Sequence, residues 1–238
     1  MSNLFQKIKE KTGRIAINVV DFTYDLAEKI TEKVQGVCGR LKQKVEEWID
    51  PRKPTDKVPP VIIANNEPLI QDISSEIAGK FPDFYSEVEN GDPEERVRKM
   101  YDLFTYGCQK MNVSPCPEFG FFLPDDEENI SLYGSYNWGE HKLELNIALI
   151  TGGDPELLKE ACGTEFHELV HARQYQAVQA WMAGESVEKF GYTTEYVRVL
   201  ADNFEHYIRP EENYEAYTKQ PIEAEAFWFK EQILQHLA

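Results

Sequence analysis

The sequence predicts an α+β fold in which a small sheet packs on helices, preceded by an N-terminal amphipathic helical segment. Three observations predict it. Leu158, Cys162, Phe166, Leu169, Val170, Ala177 and Trp181 recur at helical spacing between Asp154 and Gly184, the signature of one long helix. Leu143, Leu145 and Ile147 alternate with polar residues just after Gly139-Glu140, so residues 129–138 and 141–147 read as two strands joined by a turn. Leu4, Ile8, Ile15, Val19, Phe22, Leu26, Ile30, Val34, Val37, Leu41, Val45 and Trp48 form an apolar stripe at spacings of three, four and seven, which is an amphipathic helix.

Taken in chain order, that first helical stripe has Gly13, Gly36 and Gly39 as its natural breaks and ends in the proline-rich stretch 50–60, a linker. The domain boundary therefore falls between an appendage, 1–58, and a main domain, 59–238. Val61-Ile-Ile-Ala64 reads as a short strand, 67–80 and 93–111 as helices, and Phe119–Leu123 as a strand before the hairpin. Asp125-Asp-Glu-Glu128 is an acidic run without the alternating ligands of a calcium loop, hence a solvated turn. Asp154 and Pro155 suit the start of the long helix. Residues 186–207 read as largely helical, and Pro221 opens the last helix.

Inside the long helix lies His167-Glu168-Leu169-Val170-His171. Residues four apart share a helix face with Cβ atoms about 5–6 Å apart, so two imidazoles at 167 and 171 can converge on one Zn²⁺ through bonds of about 2.0–2.1 Å. Glu168, turned about 100° round the helix, reaches past such an ion toward its water, the position of a general base. A third ligand is then required. The metzincin continuation would place Gly and His three and six residues after His171; Gln174 and Ala177 stand there instead. Downstream, Pro221-Ile-Glu223-Ala-Glu225-Ala226 puts carboxylates in the first turns of a helix. Glu223 and Glu225 point about 200° apart, so only one of them can face the metal.

From roughly Gly91 to the C-terminus the chain resembles the HExxH gluzincin-type zinc metallopeptidases, especially the small minigluzincins. The resemblance rests on the hairpin before the motif helix, the HExxH run and the final Pro-x-Glu-x-Glu-Ala helix. It implies a zincin-like domain that hydrolyses peptide bonds, and a third ligand three residues before a small residue, which maps onto Glu223 and Ala226. It further implies that a peptide substrate adds to the edge of the sheet. The chain departs from the pattern at Ala226-Phe227, where the thermolysin type has Ser-Asp. The aspartate that would brace a histidine ligand is missing, so that brace comes from elsewhere or does not exist. Tyr217, Tyr214 and His206 are candidate donors to a developing oxyanion, with packing or solvated roles as their alternatives; His206 is also an alternative ligand. Arg173 fits an ion pair, and His141 and His236 carry no assigned role.

Composition sets outer bounds. Of the 238 residues, 42% are hydrophobic and 12% aromatic, enough for a core, and the net charge of -17 excludes nucleic-acid binding through phosphate neutralisation. Residues 1–58 carry 12 Lys+Arg against 9 Asp+Glu, leaving 13 against 33 for the rest. The two parts thus differ in sign. Residues 1–50 fit a partner-docking or self-association helix, or an inhibitory pro-segment. A membrane-surface role is disfavoured by the interspersed acids. No signal peptide or spanning segment is evident, so a cytoplasmic or virion-associated protein is expected. Cys108 and Cys116 are the pair a disulfide would use, but free thiols are expected. The expected function is zinc-dependent peptide hydrolysis with His167, His171 and Glu223 as ligands and Glu168 as base. The alternative is a zincin-fold docking protein recruited through its N-terminal helix.

Overall fold

The computed structural model describes residues 14–18, 58–80, 93–124, 133–152 and 154–236. Their elements in chain order are β1 (Arg14–Asn18), α1 (Pro60–Lys80), α2 (Pro93–Lys110), β2 (Glu118–Pro124), β3 (Gly134–Asn137) and β4 (Lys142–Asn146). There follow α3 (Ala148–Thr151), α4 (Pro155–Met182), a 3₁₀ turn at Glu188–Phe190, α5 (Thr194–Glu205), α6 (Tyr214–Lys219) and α7 (Pro221–His236). The fold is mixed α+β and mostly helical. Proline opens α1, α2, α4 and α7, at the position where its missing N–H has no helical partner to lose.

The described residues divide into two compact units. The first, drawn from 1–50, 81–105 and 117–165, holds the sheet. Its strand order is β1-β2-β4-β3, with β2 and β4 parallel and the outer pairs antiparallel. Leu143 and Leu145 turn inward from β4 while Lys142 and Glu144 stay half-exposed, the period-two alternation of a half-buried strand. The turn between β3 and β4 is closed by His141, at φ 51°, whose Nδ1 hydrogen-bonds the Tyr136 hydroxyl at 2.7 Å. That gives His141 a structural role. β3 runs close to α4: a Cβ at Gly134 would sit 2.7 Å from Thr164 Cγ2, so only glycine fits there.

Two expectations are corrected in these elements. Residues 61–64 are helical, not a strand, because Ile62, Asn66, Ile70, Ile73 and Ile77 are buried along one face of α1 and that period outweighs a four-residue β-branched run. Arg14–Asn18 is a strand, not part of an N-terminal helix. It pairs antiparallel with β2, Ile15 opposite Leu123 and Ile17 opposite Phe121, and so covers the backbone edge β2 would otherwise expose. The rest of the expected N-terminal helix, most of the proline-rich linker and the acidic run 125–128 lie outside the described residues. Cys108, Cys116 and Cys162 are not in disulfides, and no helix among the described residues is long and apolar enough to cross a membrane.

The second unit, drawn from 51–80, 106–116 and 166–238, is helical, with α7 packed against α1, α5 and α6. Thr193 caps α5 by accepting from Tyr196 N, and Asn213 caps α6 by accepting from Ala216 N. The stretch 186–207, expected to be largely helical, is a 3₁₀ turn and α5 interrupted at Gly191. Its φ of 70° is left-handed, and a Cβ there would lie 2.7 Å from Arg173 Nη2.

Candidate metal centre

Asp154 starts α4 by accepting from the backbone N–H groups of Glu156 and Leu157, which satisfies two donors the helix leaves open. From Ala161 to Gln174 every residue is buried. The motif therefore sits in the interior stretch of a helix enclosed on all sides.

His167 and His171 lie one turn apart with their rings nearly perpendicular, and their Nε2 atoms are 3.0 Å from each other. Glu223, in the first turn of α7, brings Oε2 to 3.3 Å from His167 Nε2 and Oε1 to 3.5 Å from His171 Nε2. Three donor atoms thus converge on one point, all within 4.8 Å of one another. Ligands on a tetrahedral zinc with bonds of about 2.0–2.1 Å stand about 3.3 Å apart, so the observed spacings fit that ion. Glu223 Oε2 is buried yet makes no hydrogen bond, which is the orphaned acceptor a cation would satisfy.

Charge distribution within the metal-free cluster agrees. Burial pushes His167 down to about 4. Burial would also lower His171, but the Glu223 carboxylate overrides it and raises His171 to about 9, with Glu168 adding to the effect. Burial alone would raise Glu223; the neighbouring His171 charge instead holds it well below the usual carboxylate range. A proton on His171 therefore occupies electrostatically the place that a metal cation would take.

Around these three groups stand two phenols. Tyr207 donates to Glu223 Oε1 at 2.7 Å. Tyr217 packs edge-on against both Phe227 and Tyr207. Burial first, then the charges of Glu223 and Glu168, push both hydroxyls up, so they remain protonated donors. Glu168 is buried beside them, 7% exposed. Phe227, four residues after Glu223, sets its ring against the His167 imidazole, with centroids 4.7 Å apart.

The structure thus brings together His167, Glu168, His171, Glu223 and Tyr217, and does not bring His206 to them. The His206 side chain is 70% exposed, with Nδ1 on the Asp202 carbonyl of its own helix. Tyr214, 44% exposed, only flanks Tyr217. Glu225 faces away from the histidines and is bound by Gln174, Tyr192 and Tyr196. Arg173 makes no surface ion pair. It is buried, bonded to Asn66 Oδ1 and the Phe190 carbonyl, and lies over the Tyr192 ring. Sequence reasoning missed Tyr207, adjacent to the histidine it chose, and Gln174, whose position three residues after His171 was a usable signal.

The chain was compared with protein-family models, with curated proteins and with solved structures, and it matches none of them.

Proposed function

We propose that this chain is a zinc-dependent metallopeptidase acting on peptide or protein substrates. The observation that carries the reading is the convergence of His167 Nε2, His171 Nε2 and a Glu223 carboxylate whose Oε2 lacks a hydrogen bond. A zinc ion held there would lower the pKa of water and polarise a carbonyl. Glu168, adjacent to a ligand and buried, takes the proton of the attacking water and delivers it to the leaving amine. Tyr217, kept protonated by burial and by the two carboxylates, donates to the oxygen on which negative charge develops, while Tyr207 donates its one proton to Glu223 Oε1. His167, His171 and Glu223 would hold the ion and move no proton in the reaction.

Glu168→Gln tests the reading because it keeps size and hydrogen bonding while removing the base. We expect a folded, zinc-loaded chain whose kcat on an unstructured protein substrate falls by about 10²–10⁴-fold. Equal turnover by the variant and the parent would refute the assignment of Glu168.

A further inference from the structure

The family-type aspartate that would steady a histidine ligand is absent, and Phe227 stands in its place. The two histidines consequently differ. His167 Nδ1 is buried with no hydrogen-bond partner, and the Phe227 ring lies against its imidazole. His171 Nδ1 instead meets Gln174 Oε1 at 3.1 Å.

The orientation of the Gln174 amide is fixed by its other end. Nε2 faces two acceptors, the Ile222 carbonyl at 3.1 Å and Glu225 Oε2 at 2.8 Å, and an amide has its two donors on nitrogen alone. Oε1 must therefore be the atom toward His171, and as an acceptor it requires N–H at Nδ1. That leaves Nε2, the atom facing His167 and Glu223, as the coordinating nitrogen.

Glu225 is itself anchored. Tyr192 donates to Oε1 at 2.8 Å and Tyr196 to Oε2 at 3.2 Å, and neither Gln174 nor Glu225 has any exposed surface. The Tyr192 ring lies beneath the Arg173 guanidinium, which bonds Asn66 and Phe190 in turn. Every polar end of the chain from His171 to Glu225 thus meets a complementary group, in an interior where a misplaced amide would be costly.

We propose that Gln174 and Glu225 are positioning residues for the metal, forming a relay His171–Gln174–Glu225 that fixes the His171 tautomer and ring from the side opposite the ion. An amide carries the carboxylate's influence across one extra link, in place of the missing aspartate. This inference rests on the metal-centre reading given above. Partners of ligating histidines affect metal affinity by about 10–100-fold, which sets the expected scale.

The test is competitive zinc titration of the full chain against a chromogenic chelator, with Gln174→Met and Glu225→Gln alongside the parent. The same samples, zinc-loaded, are examined by NMR for a slowly exchanging Nδ1–H on His171. We expect zinc affinity about 10–100-fold weaker in Gln174→Met, with the slow proton lost, and a smaller loss with a shifted proton in Glu225→Gln, which touches no ligand. If Gln174→Met does not fold, Glu225→Gln decides by the same two readouts. Parent-like affinity and an unchanged His171 proton in the folded variants overturn the relay while leaving the metal centre standing. A parent chain that takes up no zinc overturns both.

Discussion

With no metal bound, the Glu223 carboxylate raises His171 to about 9, so that His171 carries a proton at neutral pH. Because His171 holds its proton up to about 9 and His167 loses its own near 4, a metal arriving at neutral pH must displace about one proton. Zinc affinity should therefore rise about tenfold per pH unit from pH 4 toward pH 9 and then level off; calorimetry in buffers of different ionisation enthalpy would detect the proton. The linkage to stability has a definite sign. His171 is raised in the fold from 6.5 to about 9, so its contribution is complete below 6.5 and disappears as pH rises through 9. The metal-free chain should lose thermal stability across that window, and the zinc-loaded chain should not. A flat profile for the metal-free form would contradict the assignment of the proton to His171. At this scale the pairing of His167 with His171 was legible because helix periodicity alone puts positions 167 and 171 on one face. Tyr207 was not legible, since its reach to Glu223 depends on the path of the chain between α5 and α6.

Among the elements, α4 was readable from end to end, with a cap at Asp154, a proline at its start and an apolar period to Trp181, whereas for α7 only the Pro221 start was legible. What the sequence could not reveal was where a short β-branched run yields to its neighbours. Val61–Ala64 joins a helix because Ile70, Ile73 and Ile77 extend its buried face, whereas Ile15 and Ile17 join a strand because β2 offers them an edge. Gly191 ends the 3₁₀ turn that precedes α5. Gly191→Ala would impose a left-handed φ of 70° on an alanine and drive its Cβ toward an Arg173 side chain held at its two terminal nitrogens. We expect a loss of about 1–2 kcal/mol in urea unfolding. A neutral result would mean that the Arg173 anchor gives way without cost.

For the molecule as a whole, Arg14–Asn18, within the segment expected to be an appendage, pairs with β2 at the edge of the sheet. Periodicity could not have shown this, because pairing between residues 14–18 and 120–124 is a long-range choice made by an open edge. A chain lacking residues 1–20 should accordingly expose the backbone of β2 and self-associate, measured by sedimentation velocity against the full chain. A monomeric and equally stable truncated chain would show that β1 contributes nothing to the sheet. The acidic excess of residues 59–238 adds a general attraction for cations, but selectivity must come from the three converging donors. The most direct measurement of the central claim is therefore the metal content of the purified full chain beside His171→Ala. One tightly held zinc per chain, lost in the variant, is the predicted result; a chain without affinity for zinc, or one whose zinc survives His171→Ala, would contradict it.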